Sequence, residues 1–144
     1  AIAVSPATVV RLRPHLGSLS GIFLNRREAA TLTVEGGASM PGKTGPGFTV
    51  LTDGPGEIEA WHGGRIWRLV PPSPERVADV TGAGDALTGA MVAGLCDGVP
   101  FPEALRRGVA AAVMTVAADE AVAGGGDALY AAILDHVPEP RLET

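Results

Sequence analysis

The sequence is short of cysteine, aromatic residues and basic charge, and each shortage argues against a class of protein. Cys96 is the only cysteine among 144 residues, so neither an intramolecular disulfide nor a cysteine-rich zinc site is expected. A reducing, cytoplasmic setting therefore follows as an expectation. Aromatic residues make up 4% of the chain, and the net charge of -5 argues against a general nucleic-acid binder. No apolar run approaches the ~18 residues of a membrane-spanning helix, so no membrane partner is expected.

The residues that are present predict a turn-rich α/β domain. Hydrophobic residues make up 46% of the chain and charged residues 19%, alongside 20 glycines and 12 prolines. Apolar runs of strand length alternate with segments of helical periodicity, which indicates a layered sheet with flanking helices in a single domain over residues 1–144. The predicted strands are 1–4, 20–24, 48–52, 58–62 and 65–70. The predicted helices are 7–16, 26–32, 86–95, one beginning at Pro102, and 127–136, with a loop at 33–47.

One glycine-rich run carries the chemistry, DVTGAGDALTG, from Asp79 to Gly89. Small residues let a ligand approach the backbone, and the amides of Gly82, Ala83 and Gly84 come at the start of a predicted helix, where an anion is favoured. Asp85 would then lie beside that anion. A carboxylate there is suited to accept a proton from an attacking hydroxyl. From the residues alone, a glycine-rich turn with a capping acid explains the run equally well.

The same run resembles the second signature of the PfkB-type carbohydrate kinases, the family of ribokinase, fructokinase, adenosine kinase and pseudouridine kinase. The resemblance implies a ribokinase-like, Rossmann-type layered sheet, of which this chain would be the C-terminal, ATP-binding portion. It also implies ATP-dependent phosphorylation of a hydroxyl on a small-molecule sugar or nucleoside. In that reaction Asp85 would be the catalytic base, and the amides of Gly82, Ala83 and Gly84 would form the anion hole.

Two further elements resemble the same family. The run Asn25-Arg26-Arg27-Glu28 is similar to its N-x-x-E element, which implies that Glu28 orders Mg²⁺ through water and that Asn25 supports the ATP site. Without the resemblance, Asn25 and Glu28 are most simply a helix cap and a first-turn acid. The run Val50-Leu51-Thr52-Asp53-Gly54 is similar to a family strand that ends in Thr-Leu-Gly, which implies that Thr52 and Gly54 line the phosphate path. Asp53 departs from the usual apolar residue.

The resemblance implies two further groups of ligand-binding residues. Asp79 and Thr81 fall where many family members bind a potassium ion, although a turn at a strand end explains Asp79 as well. Val109, Ala112 and Val113 fall where family members hold adenine, although periodic apolar residues of this kind are more often core.

The sequence leaves two alternatives for the phosphate acceptor and two for whether the chain is catalytic. The segments VSPATVVRLRPHL, FLNRREAATL and AAVMTVAADEAVAGG resemble pseudouridine kinases, which implies the ribose 5-hydroxyl as acceptor, with ribose or a fructose-type sugar as the alternative. A second interpretation is a truncated, non-catalytic remnant that at most binds nucleotide. Half of such a fold would expose sheet edge and apolar surface, so self-association or a homodimer is expected.

A second glycine-rich run, Gly37 to Thr44, satisfies the P-loop pattern but lacks its context. That pattern needs a strand before it and a helix after it, and the helix-breaking Gly45, Pro46 and Gly47 follow directly. We therefore predict a flexible loop in this segment. The three histidines show no metal-ligand spacing and are expected to be surface or packing residues: His15, His62 and His136.

Overall fold

The computed structural model of the protein describes residues 6–36, 46–74, 76–118 and 126–143, and these form a mixed α/β structure, as predicted. The chain divides into two compact units, one of residues 1–68 with 142–144 and the other of residues 69–141. The single domain expected over residues 1–144 stays a prediction. The predicted strand at 1–4 and the P-loop pattern at 37–44 lie outside the described residues. None of the described helices is long and apolar enough to cross a membrane.

The first unit is built on a five-stranded sheet in the order β1-β2-β3-β4-β5. Its strands are β1 (Ile22–Asn25), β2 (Phe48–Thr52), β3 (Ile58–His62), β4 (Arg65–Leu69) and β5 (Arg141–Glu143). Its helices are α1 (Pro6–Leu12), followed by a 3-10 turn at Arg13–Ser18, and α2 (Arg26–Gly36).

Strand direction brings two predicted site residues to the same edge of this sheet. β1 and β2 run parallel, and Asn25 is the register partner of Thr52. Each is the last residue of its strand, so the chain leaves the sheet on the same side after both. β2 and β3 are antiparallel. The predicted hairpin between β3 and β4 is confirmed, because Gly63 and Gly64 hold φ of 59° and 73°, the left-handed pair that a two-residue turn requires.

Two predicted helix ends in this unit were wrong, and one strand was missed. The helix expected over 7–16 ends at Leu12, because Pro14 has no amide to continue it and starts a 3-10 turn instead. The loop expected from residue 33 was placed too early, because α2 extends to Gly36. Strand β5 was not predicted, since three residues are too short to show an alternating pattern.

The core of the first unit lies between α2 and one face of β1 and β2. Leu24, Ala29 and Leu32 form a buried cluster, and Leu12, Ile22 and Leu51 pack against it half-buried. Val50 and Ala60, on neighbouring strands and paired in register, are also fully buried, but they lie on the opposite face of the sheet from Leu51. The helical spacing of Ala29 and Leu32 therefore matches the face that α2 turns toward the sheet.

The second unit is helical and contains α3 (Ala83–Cys96), α4 (Phe101–Ala117) and α5 (Asp127–His136). Helix α3 ends at Cys96; Gly98 follows with a φ of 78°, which suits glycine, and the Val99 amide returns to the Gly94 carbonyl at 2.9 Å. Its buried residues are Leu87, Met91 and Gly94. Those of α4 are Phe101, Ala104, Leu105, Gly108, Val109, Ala110, Val113, Met114 and Thr115.

Helices α4 and α5 are joined through one arginine. The Arg106 guanidinium donates to the carbonyl of Leu134 at 3.1 Å and to that of Val137 at 3.0 Å, so it caps the C-terminal end of α5. The same guanidinium pairs with Glu103 at 2.9 Å and Glu139 at 3.1 Å. Because its side chain is 16% exposed, these bonds replace water that the charge would otherwise need.

Candidate functional site

The glycine-rich run opens helix α3 with a backbone conformation that only glycine adopts easily. Gly82 is the residue before the helix and holds φ 82° and ψ -6°. The Ala86 amide donates to its carbonyl at 2.8 Å, which closes the first helical turn. Among the described residues no side chain caps this start. The amides of Gly84 and Asp85 are therefore those that a helix start leaves without a carbonyl partner within the helix.

The three amides predicted to form an anion hole are not equivalent. The Ala83 amide donates to the Val80 carbonyl in a turn, at a long 3.4 Å. In contrast, Gly84 is exposed, and a Cβ built on it would meet no atom within 4 Å. The space on the Cβ side of Gly84 is consequently open, whereas the Ala83 amide would have to give up its long bond to Val80 before it could bind a ligand.

Asp85 lies in the first turn of α3 and its side chain is exposed. The helix was predicted to begin near Ala86, but it begins at Ala83, so the carboxylate belongs to the helix rather than to the loop before it. The first turn carries the positive end of the helix dipole, which favours a negative group there. Asp85 therefore stands next to the amides on which an anion would rest.

Asp79 and Thr81 form a tight local turn ahead of the helix. The Thr81 amide and hydroxyl both donate to the same carboxylate oxygen of Asp79, at 2.9 and 2.8 Å. These hydrogen bonds hold the pKa of Asp79 below its usual range, the backbone bond contributing most. This is the turn that the residues alone suggested. Within the described part of the chain, no three acidic, histidine or cysteine side chains cluster as metal ligands.

Asn25 and Glu28 cap the start of α2 reciprocally. The Glu28 amide donates to the Asn25 side-chain oxygen at 2.9 Å, and the Asn25 amide donates to Oε2 of Glu28 at 2.8 Å. This is a capping box, with asparagine in place of serine or threonine. The helix-cap interpretation thus describes this geometry. One carboxylate oxygen, Oε1, is not used by the cap.

The end of β2 leads into a tight turn that carries the predicted phosphate-path residues. The Thr52 hydroxyl donates to the Leu24 carbonyl at 3.4 Å. Gly54 has φ 56°, and the Gly56 amide donates to the Asp53 carbonyl at 2.8 Å, which closes the turn. No atom would meet a Cβ at Gly54 within 4 Å, so space beside the turn is open.

Asp53 is paired with a residue that the sequence analysis did not single out. Arg26 Nε donates to Asp53 Oδ2 at 2.7 Å, and Arg26 Nη2 reaches Glu59 Oε1 at 3.4 Å. No local pattern in the sequence pointed to Arg26, because its partner Asp53 lies 27 residues further along the chain.

The predicted adenine-contacting residues differ in their exposure. Val109 is fully buried and Val113 is 9% exposed, so both are core residues of the second unit in this structure. Ala112 is half-buried and retains some surface. The apolar periodicity of these residues, which already favoured a core position, therefore reports mainly the packing face of α4.

The predicted site residues form two groups, each within its own unit. Asn25, Glu28, Thr52 and Gly54 lie at one sheet edge of the first unit. Asp79, Thr81 and the residues from 82 to 85 lie at the start of α3 in the second.

Comparison with known proteins decides the family. A family model described as pfkB family carbohydrate kinase matches residues 11–132. The chain belongs to the PfkB family of carbohydrate kinases. It is 32% identical to the cytidine kinase of Thermococcus kodakarensis over 103 residues, which are 68% of this chain and 37% of that protein. The resemblance drawn from the DVTGAGDALTG run is confirmed.

Solved structures confirm the ribokinase-like fold of this PfkB chain. A carbohydrate kinase from Agrobacterium tumefaciens superposes with a TM-score of 0.73 and 34% identity, over 98% of this chain and 47% of that one. The nucleoside kinase of Methanocaldococcus jannaschii, a member of the ribokinase family, gives 0.79 at 16% identity, over 92% and 44%. A Burkholderia thailandensis nucleoside kinase in complex with ADP-inosine gives 0.80 at 21%, over 96% and 44%. The chain thus spans less than half the length of these relatives.

Proposed function

We propose that this chain supplies the ATP-binding and proton-accepting part of a kinase that phosphorylates a hydroxyl of a sugar or nucleoside. The observation that carries the proposal is the start of α3. There, a left-handed Gly82 opens the helix and an exposed Asp85 follows in its first turn. Membership of the PfkB family supports the assignment of this geometry to phosphoryl transfer.

The proposed reaction needs only a base and fixed donors from this segment. The acceptor hydroxyl oxygen attacks the γ-phosphorus, the bond to the β–γ bridging oxygen breaks, and Asp85 takes the hydroxyl proton. The amides of Gly82, Ala83 and Gly84 stabilise the negative charge on the transferring group. A helix start suits this role because its donors are already oriented before the reaction.

The chain offers residues that fit the implied cations. Bound Mg²⁺ would neutralise phosphate charge, and Glu28 fits a water-mediated contact because one carboxylate oxygen, Oε1, is not used by the capping box. Asn25 supports the same position through the cap. Asp79 and Thr81 offer carboxylate and carbonyl oxygens, the hard donors suited to K⁺. Thr52 and Gly54 would line the phosphate path, and Ala112, which retains some surface, would line the adenine side.

A nucleoside is the acceptor class we favour, with pseudouridine and its ribose 5-hydroxyl as the specific candidate. The identity to a cytidine kinase supports a nucleoside over a free sugar. Ribose and fructose-type sugars are the alternative, since the family model describes carbohydrate kinases. A cytoplasmic setting, expected from the single cysteine, remains part of the proposal.

The competing function is a non-catalytic remnant that binds nucleotide at most. The observation that supports it is the exposure of several large apolar side chains in the described residues, among them Val77 and Val80. We therefore expect self-association, seen as a sedimentation coefficient that rises with concentration; a monomer at every concentration would contradict this.

The deciding experiment is calorimetric titration of Mg²⁺-ATP into the purified chain and into Asp85→Asn. We expect saturable binding in both, because the proposed base acts on the acceptor rather than on ATP. Asp97→Asn, at the other end of α3, is the matched control for loss of an exposed acid. A folded chain that does not bind Mg²⁺-ATP would overturn the proposal in favour of the remnant.

Turnover is then measured with pseudouridine, cytidine, inosine, ribose and fructose as acceptors. Asp85→Asn should lower kcat by about 10²- to 10⁴-fold, the usual contribution of a positioned base, while Asp97→Asn should not. Phosphorylation of ribose or fructose with no activity on any nucleoside would overturn the nucleoside assignment.

A further inference from the structure

The Arg26 side chain links two segments of the first unit, which follow the C-terminal ends of the neighbouring parallel strands β1 and β2. Arg26 is the first residue of α2, directly after the end of β1, while Asp53 directly follows the end of β2. Because Asn25 and Thr52 are register partners, Arg26 and Asp53 are the next residues outward on neighbouring strands. Their side chains meet with Nε and Oδ2 at 2.7 Å.

Arg26 is held from two sides. Its main chain lies inside the capping box that Asn25 and Glu28 form at the start of α2. Its other arm reaches Glu59 at 3.4 Å, and Glu59 is only 14% exposed and also pairs with Arg68 at 3.1 Å. Arg26 is therefore anchored to α2 and to the sheet before it reaches Asp53.

The turn after β2 has little other support. It is closed by the bond from the Gly56 amide to the Asp53 carbonyl at 2.8 Å. No atom would lie within 4 Å of a Cβ at Gly54, so packing does not press on the centre of the turn. Within the described part of the chain, the ion pair between Arg26 and Asp53 is a side-chain contact that ties this turn to α2.

We propose that Arg26 is a positioning residue that holds the turn from Asp53 to Gly56, and with it Gly54, in place for nucleotide phosphate. It acts in two ways. It fixes the turn against the start of α2, and it balances the Asp53 carboxylate, which would otherwise repel phosphate beside Thr52 and Gly54. The second effect rests on the proposed function; the first does not.

The first test needs no nucleotide. Hydrogen exchange of the Gly56 amide is measured by NMR in the unmodified chain, Arg26→Gln and Arg26→Lys, with Arg27→Gln as the control for an exposed neighbouring charge. Both partners of the pair are about half exposed, so we expect a modest effect, about two- to fivefold faster exchange in Arg26→Gln. Arg26→Lys should recover part of the protection and Arg27→Gln should match the parent. Unchanged exchange in Arg26→Gln would overturn the proposal.

The second test measures Mg²⁺-ATP affinity in the same chains. Arg26→Gln should weaken binding by about two- to fivefold at unchanged thermal stability, and Arg26→Gln combined with Asp53→Asn should bind more tightly than Arg26→Gln alone, because the uncompensated charge is gone. Equal affinity in the single and double variants would refute the charge-balancing role. If the parent chain does not bind Mg²⁺-ATP, the proposed kinase function fails, and the exchange of Gly56 still decides whether Arg26 holds the turn.

Discussion

The carbonyl oxygen of Leu87 in α3 lies against Gly108 in α4, where a Cβ built on the glycine would stand 2.8 Å from that oxygen. Such a Cβ would also be 3.1 Å from the Cβ of Met91. A backbone oxygen cannot rotate away as a side chain can. The two helices therefore approach as closely as they do because residue 108 is glycine.

We predict that Gly108→Ala lowers the free energy of unfolding by about 1–3 kcal/mol, the usual cost of overpacking a core. The higher helix propensity of alanine would by itself raise the free energy of unfolding by about 1 kcal/mol. A net decrease in the free energy of unfolding therefore reports the clash. Chemical denaturation of the variant beside the parent gives this value. Gly89→Ala, in α3 with no atom within 4 Å of its new Cβ, is the control and should be neutral or stabilising. A Gly108→Ala protein as stable as the parent would contradict the close approach.

Thr49 carries a buried hydroxyl for which the described structure provides no hydrogen-bond partner, and the residue is 1% exposed. Thr49→Val removes this group at nearly constant shape. The variant should be more stable by about 1 kcal/mol, since an unsatisfied buried hydroxyl costs about that much or more. Thr115→Val is the matched control, because the Thr115 hydroxyl donates to the Ala111 carbonyl at 2.9 Å. Equal shifts in the midpoint of denaturation for both variants would show that the hydrogen-bonding state of the buried hydroxyl does not affect stability.

Glu28 offers a way to separate a helix cap from a magnesium-ordering acid. Glutamine can also close a capping box, so Glu28→Gln should keep the stability of the parent, whereas Glu28→Ala should lose about 1 kcal/mol. Both variants should weaken Mg²⁺-ATP binding if the charge orders the cation, which calorimetry measures. Affinity that is kept in Glu28→Gln and lost only in Glu28→Ala would assign Glu28 to the cap alone.

Asp79 makes the stability of the turn before α3 depend on pH. Its folded-state pKa is lowered, so its contribution is complete above the ordinary value of 3.8 and is lost as pH falls through the lower folded-state pKa. Asp79→Asn should therefore be less stable than the parent at neutral pH, and the difference should shrink in acid. Denaturation midpoints across this range, in buffer without potassium, test the sign. A difference that grows as pH falls would contradict it.

The features that the sequence predicted well are those that depend on neighbours along the chain. The run from Asp79 to Gly89 located the start of α3, because glycine spacing and an acid in the first turn are local signals. The hairpin followed from Gly63 and Gly64 for the same reason. The end of α2 was placed too early, because a helix nucleated by a capping box continues through residues that favour other conformations.

The features that were missed depend on residues far apart in the sequence. Arg26 and Asp53 meet only because β1 and β2 are parallel and in register, which residue patterns do not reveal. Val109 was a candidate for adenine contact, yet apolar periodicity is the same whether a helix faces a ligand or another helix. The burial of Val109 is therefore a fact that only the fold provides.

The placement of β5 has a consequence for the order in which the chain can fold during synthesis. Strands β1 to β4 pair with their neighbours in sequence, but β5 comes from residues 141–143, after all of the second unit has been made. The partner of Arg68 in that strand, Glu143, therefore leaves the ribosome 75 residues after Arg68. A nascent chain halted after residue 69 holds four strands with an open edge at β4, and this edge closes only after residues 141–143 have been made.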